Sequence, residues 1–379
     1  MSTTRGRVLR QARTERQWTK SQLVARIRAA AQRHGYALPK DESISRRIAS
    51  WENGHAVPDD FYLPLLCEVY GRTAEDLGYG AAEPEPEADE EAAELLLRLE
   101  TARSVDAELI RGMRTQTDLI RLKDRKLGAA VLAEEMTAHL RQTEELLRFG
   151  IFHAERAGLA HVLADASALA GWQAIDTGSL RDAWEHFERA KAAAREADDP
   201  MLLAFATAEQ AYVLLDLQRA GQALDLIQHA HHSQRQRLPA LLRAWLYAAE
   251  AEAHAGLGNQ STALRTMDAA AGTLPTDSSN PDLPYLALNL VHLARWRGSV
   301  LAALGDTQAI EDLTQALAGM GNGTFTRAEA GLRVDLAGAL IARGDAAEAR
   351  THIEQARRLV DIAGSARQRR RVENLTQRL

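Results

Sequence analysis

Histidine clusters, cysteines and glycine-rich segments are where chemistry would first be sought, and in this chain none has the spacing that chemistry needs. His229, His231 and His232 stand together as HAHH, but no acidic or Cys partner lies at ligand spacing. Histidines so placed more often partner the dipole at a helix C-terminus. The segment GMGNGT (319–324) has the glycines of a phosphate loop without a preceding strand or a following Lys-Ser/Thr, so it reads as an interhelical loop. Cys67 is the single cysteine, which excludes an internal disulfide and a Cys-rich zinc site. There is no nucleophile elbow and no HExxH pattern, and the many carboxylate pairs lie on solvated helix faces. We expect no catalytic residue, no metal, no cofactor, and therefore no enzyme.

Charge points to binding instead. The net charge of −6 hides a division, because residues 1–50 hold 12 Lys and Arg against 3 Asp and Glu. A basic front on an acidic body is the asymmetry expected when only the front meets a polyanion. Arginine outnumbers lysine 41 to 5, which reads as codon bias of a GC-rich genome such as an actinobacterial one. The segment MSTTRGRVLRQAR lacks the apolar core of a signal peptide, and no stretch approaches the roughly 18 apolar residues of a membrane span. A soluble, cytoplasmic protein with no membrane partner is expected.

The elements that must position these charges are helices. Hydrophobic residues make up 46% of the chain but aromatics only 5%, with Ala and Leu prominent, which favours close helix packing over a β-sandwich. Three regions separate: a basic, turn-punctuated 1–80, an acidic proline-bearing linker AAEPEPEADEE (81–91), and helical patterning from 92 to 379. Within the last, 92–130 reads as connecting or dimerisation helices, with Leu95, Leu99, Val105, Leu109, Met113 and Leu122 as a buried stripe.

Residues 131–379 carry an internal repeat. Alanines 183, 223, 263, 309 and 349 recur at intervals of 40, 40, 46 and 40, each followed seven residues later by Ala190, Ala230, Ala270, Ala316 and Ala356. Between them stand Phe187, Leu226 with Ile227, Met267, Leu313 and Ile353. Small residues at i and i+7 with a larger one at i+4 share a helix face, so each unit reads as a helical hairpin. The six extra residues fall in TLPTDSSNPDLP (273–284), a turn-rich loop where an insertion is tolerated. Thr143, Leu147 and Gly150 suggest a degenerate further unit in 131–175. Gly178, Ala183, Phe187 and Ala190, and again Gly258, Ala263, Met267, Ala270 and Pro275, resemble tetratricopeptide repeats, although the period exceeds the usual unit of about 34 residues. The basic end GSARQRRRVENLTQRL reads as a terminal helix capping the array, with nucleic-acid contact as the alternative.

In the front region, Thr19-Lys20-Ser21-Gln22 reads as a capping box opening a helix with Leu23, Ile27 and Ala30 on one face. A helix over about 5–16 precedes it with Val8, Leu9 and Ala12. After HGYALPKDE comes a helix over about 43–52, capped by Ser43, with Ile44, Ile48 and Trp51 inward and Asn53-Gly54 ending it. A fourth helix carries Phe61, Leu65, Leu66 and Val69, and TAEDLGY forms a short fifth. GRVLRQARTERQWTKSQLV, the closing WENG, Pro58 and the short last element together resemble the Cro/repressor-type (XRE) helix-turn-helix family. The chain departs from it where ARIRAAAQRHGYALPKDES replaces a compact turn.

That resemblance implies an all-α protein: a five-helix helix-turn-helix domain followed by an α-solenoid of tetratricopeptide-like hairpins. It implies binding to double-stranded DNA at an operator with two half-sites, hence a homodimer. Ser45, Arg46 and Arg47, with Ser50 further along, would approach base edges, and Thr19, Lys20, Ser21 and Gln22 would hold phosphates. The repeats would sense a peptide or small molecule on a concave face lined by first helices. Candidate residues there are Trp172, Glu209, Tyr212 and Trp245, then Glu252, Asn289, His292, Arg295 and Arg333, with Asp165 and Trp296 nearby in pattern. The competing reading is a repeat scaffold for a protein partner, with the front domain as a docking module.

Overall fold

A computed structural model describes residues 2–79, 90–233, 238–278, 280–320 and 326–379. Residues 81–89 of the acidic stretch and 321–324 of GMGNGT lie outside them. Among the described residues there are 18 α-helices and no strands. None of these helices is long and apolar enough to cross a membrane. The chain divides into two compact units, residues 1–96 and 97–379.

Unit 1 contains α1 (Ser2–Glu15), α2 (Lys20–Arg33), α3 (Asp41–Glu52) and α4 (Tyr62–Tyr70). The capping box that opens α2 is formed on both sides: Gln22 N donates to Thr19 Oγ1 at 3.2 Å and Thr19 N donates to Gln22 Oε1 at 2.8 Å. The start of α3 corrects the expectation of a Ser43 cap. The helix begins two residues earlier, after Lys40, which gives no side-chain cap. Asp41 and Glu42 in its first turn favour the helix dipole instead. Arg28 of α2 bonds to Asp41 and, at 2.7 Å, to the carbonyl of Pro39, and so holds this entry in place.

TAEDLGY is a turn, not a fifth helix. Thr73 and Asp76 bond reciprocally at 3.2 and 3.1 Å, which closes the turn, and Leu77 still reaches the core. Phe61 lies at the surface, 39% exposed, because α4 starts at Tyr62 and buries Tyr62, Leu65, Leu66 and Tyr70 at helical spacing. The core joins these to Leu9, Leu23, Ile27, Ile44 and Ile48. Two contacts fix α1 on α3. Arg13 grips the buried Glu52 with two bonds of 2.6 and 3.0 Å, and Gly6 lies so close that a Cβ there would be 2.6 Å from the Trp51 carbonyl oxygen.

Unit 2 includes α6 (Ala107–Leu127), α7 (Ala133–Phe149) and five tight hairpins. The helix α5 (Glu90–Arg103) spans the division between the units. The hairpins are α8 (His153–Thr177) with α9 (Leu180–Glu196), and α10 (Pro200–Asp216) with α11 (Ala220–Ser233). They continue with α12 (Ala240–Gly256) and α13 (Gln260–Thr273), α14 (Leu290–Ala303) and α15 (Gln308–Gly319), and α16 (Thr326–Arg343) and α17 (Ala346–Ala363). A last helix, α18 (Ala366–Thr376), follows.

The ten repeat alanines all lie buried on the second helices, and so do Phe187, Ile227, Met267, Leu313 and Ile353. Each of these larger side chains contributes about 1.5–3 kcal/mol by leaving water, and the methyl-sized neighbours let the partner helix approach. The Phe187 ring fills the place where a Cβ on Gly171 of α8 would stand, at 2.8 Å. Thr143 and Leu147 are buried on α7, which packs on α8 and is joined to α6 by Thr117 and His139 at 2.8 Å.

Two expectations are corrected by this packing. Leu95, Leu109 and Leu122 are exposed, and α6 buries Ile110, Met113, Thr117 and Ile120 together with Arg121 and Asp124. The stripe read as a connector therefore belongs in part to the array. The insertion and the residues after it are not all surface loop either, since Leu283, Leu286 and Leu288 are buried and Tyr285 packs against Phe205, ring centroids 4.4 Å apart.

The two ends of unit 2 meet. α6 packs on α16 and α17, and α18 packs on α8 as well as on α16 and α17. Gly128 touches the backbone of Ala363 at φ +84°, a place that admits only glycine. Arg327 reaches Asp124 at 2.6 Å and Asp176 at 3.3 Å, Ser365 donates to Asp176 at 2.5 Å, and Arg367 pairs with Asp216 at 2.8 Å. Thus the array closes between its ends, and its pocket is only partly open rather than a continuous concave groove.

Candidate functional site

The candidate polyanion face of unit 1 is built on α2 and α3. The buried stripe of α3 is Ile44, Ile48 and Trp51, so helical geometry sets Arg46 on the opposite side, where it is exposed. Ser50 and Asn53 flank that face, and Ser45 and Ser50 are half-buried. Arg47 is turned differently: it lies 5.2 Å over the Tyr62 ring and 3.5 Å from Asp59. At the start of α2, the Thr19 and Gln22 side chains are committed to the cap, which leaves Lys20 and Ser21 with the outward polar groups of that turn. Arg26 stacks 4.2 Å over Trp18 on the same helix pair. The Arg28 bond to Asp41 neutralises one of the two carboxylates on the first turn of α3.

Unit 2 holds a partly open cavity of about 140 Å³. Its charged wall comprises Arg121, Asp124 and Arg125 of α6, Asp165 of α8, Glu209 of α10 and Arg327 of α16. Leu169, Trp172, Phe205 and Tyr285 form the apolar wall. Arg121 pairs with Asp165 at 2.5 Å and also with Asp118, while Arg327 pairs with Asp124 and Asp176. Burial pushes the Glu209 carboxyl up to about 8, only partly opposed by Arg121 and Arg327, so it holds its proton at neutral pH. Burial also holds the Arg125 guanidinium below its ordinary value, with Arg121 adding repulsion.

Beside the cavity, Glu252 accepts from Trp296 Nε1 at 2.7 Å and from the Tyr212 hydroxyl at 3.1 Å. Tyr212 meets Trp172 edge-on at 5.6 Å and approaches Trp245, which in turn meets Trp296 at 5.9 Å. Burial chiefly, with the Glu252 charge, raises the Tyr212 hydroxyl far above its usual range. Arg295 lies among these groups with a buried Nε that makes no hydrogen bond among the described residues.

The predicted ligand residues thus separate into groups. Trp172 and Glu209 line the cavity, and Tyr212, Trp245, Glu252, Arg295 and Trp296 form the adjoining cluster. Asn289 caps α14, accepting from His292 N at 2.9 Å. Burial and the nearby Arg295 lower the His292 imidazole to about 4. Arg333 bonds to Glu329 and to Gln355 of α17. His231 of the HAHH segment packs edge-on against Tyr247 at 4.4 Å. Among the described residues no group of three or more His, Cys, Asp or Glu is placed to hold a metal ion.

Sequence reasoning missed Arg121, Asp124, Arg125, Phe205, Tyr285 and Arg327. One signal was present: Arg121 and Asp124 fall on the apolar stripe of α6, in register with Met113, Thr117 and Ile120. The chain matches no family model, and no curated protein is significantly similar to it.

Proposed function

We propose that the protein is a DNA-binding transcriptional regulator of the Cro/repressor helix-turn-helix type, with tetratricopeptide-like hairpins as an effector-binding domain. The observation that carries this reading is the outward face of α3: an exposed Arg46, with Ser50 beside it, on a unit whose first 50 residues are strongly basic. In this reading α3 enters the major groove and Arg46 bonds guanine O6 and N7, while Lys20 and Ser21 hold phosphate at the start of α2. Arg47, shared with Asp59 and Tyr62, positions the helix and contributes less to base choice. Arg46→Ala should weaken binding to the cognate operator by about 10- to 100-fold, from the 1–3 kcal/mol of one bidentate contact, and relax preference at one base position. A gel-shift with the DNA upstream of the chain's own gene measures this. Unchanged affinity and preference in Arg46→Ala would leave the docking-module reading in its place.

A reader of this type engages two half-sites about one helical turn apart, so the working unit is a homodimer. Leu119 and Leu122 lie exposed on α6, which supplies apolar surface suited to a second copy. Sedimentation at micromolar concentration should return twice the 41.6 kDa chain mass; a monomer alone would exclude the dimer.

A further inference from the structure

The ion pairs at the cavity of unit 2 leave two of its ionisable groups out. Arg121 and Arg327 are matched by Asp165, Asp124 and Asp176. Arg125 and Glu209 make no hydrogen bond or ion pair among the described residues, although both line the cavity. The Tyr285 hydroxyl is buried and likewise has no hydrogen-bond partner among them. A buried donor left idle is costly unless something accepts from it, and the Tyr285 hydroxyl is such a donor. The remaining wall is Leu169, Trp172 and Phe205.

Size narrows the choice. At about 140 Å³ the cavity is close to the roughly 150 Å³ voids that hold a benzene molecule. A whole peptide exceeds that volume. Asp124 and Asp165 in the lining are already paired, whereas Arg125 has no ion pair among the described residues, so an anion finds a partner there. We infer that the cavity binds a small organic carboxylate with a body about the size of one aromatic ring, its anionic end on Arg125 and its apolar end against Trp172 and Phe205. This deepens the effector half of the proposed function and rests on it for any regulatory meaning.

Glu209 gives the site a pH response. The charged groups facing it are Arg121 of α6, Asp165 of α8 and Arg327 of α16, with Tyr212 one turn along α10 and Glu252 of α12 beyond it. On the α9 side, Glu188 and Lys191 are taken up by Gln210. While protonated, Glu209 donates to the ligand; once ionised it repels a carboxylate. Affinity for an anion therefore falls as pH rises through about 8.

Calorimetric titration of the full chain with benzoate, benzamide and benzylamine at millimolar concentration tests this. At pH 7 benzoate should bind, benzamide more weakly, and benzylamine not at all. Arg125→Gln should weaken benzoate by about tenfold or more, with the helical circular dichroism unchanged. Moving to pH 9, where benzoate stays ionised, should weaken binding to the unaltered chain and not to Glu209→Gln. Benzylamine binding tighter than benzoate, no binding by any of the three, or full benzoate affinity in Arg125→Gln would each overturn the inference. The titration involves no DNA, so a chain that binds benzoate without changing its operator affinity would count against effector coupling alone.

Discussion

Arg327→Leu should destabilise unit 2 by about 3–5 kcal/mol, the usual cost of leaving a buried charge without its partner. Arg327 faces two carboxylates, Asp124 and Asp176, which are 2% and 3% exposed. Removing the guanidinium strands both in a low dielectric, beside an Arg121 already matched to Asp165 and Asp118. The loss is also topological. Arg327 ties α16 to α6 and α8 across 203 and 151 residues of chain, so its removal loosens the closure between the first and last hairpins. Urea unfolding followed by circular dichroism should show the larger unit melting at markedly lower denaturant. Adding Asp124→Asn and Asp176→Asn should recover part of the loss, because the stranded charges are then gone. A shift below about 1 kcal/mol would mean that water reaches these carboxylates and that the closure rests on apolar contact alone.

Glu52→Ala should produce the second large effect, about 2–4 kcal/mol on unit 1. Its carboxylate is only 1% exposed and accepts two bonds from Arg13, whose third donor reaches the carbonyl of Trp18. The alanine variant leaves Arg13, 13% exposed, with no counter-charge at the α1–α3 contact. One molar salt should not restore stability, since a pair removed from water is screened little. Glu52→Gln should lose less, because one acceptor and the side-chain shape remain. If Glu52→Ala unfolds at the same urea concentration as the unaltered chain, Gly6 and the apolar core hold α1 on α3 without the ion pair. Under the proposed function, in which α3 presents Arg46 to DNA, the loss should lower DNA affinity as well, with Arg46 itself intact.

What could be read along the chain was local. The Thr19–Gln22 cap spans three residues, and the alanine pairs span seven, both within one or two turns of helix. Their geometry follows from the helix repeat whatever lies elsewhere. All ten of those alanines are buried. The start of α3 was misread because the residue that holds it, Arg28, sits 13 positions away on another helix. Phe61 was misplaced by one position because the first turn of α4 begins at Tyr62, and a one-residue change rotates the buried face by about 100°. The WENG glutamate looked like part of a helix terminus, and its partner is 39 residues back on α1.

For the interior of unit 2 the division is sharper. Spacing within single helices was enough to predict helices throughout, the hairpin repeat, and a basic front set against an acidic body. It could not show that the array closes on itself, that an insertion would turn Tyr285 inward, or that Arg125 and Glu209 would stand unpaired beside the same cavity. Those outcomes depend on pairings such as Arg327 with Asp124, made across 203 residues, where nothing in the local pattern marks the partner. A charged residue on an apolar stripe signals only that some counter-charge exists. Which one it meets is chosen by the way successive hairpins stack, and that is where the candidate site was made.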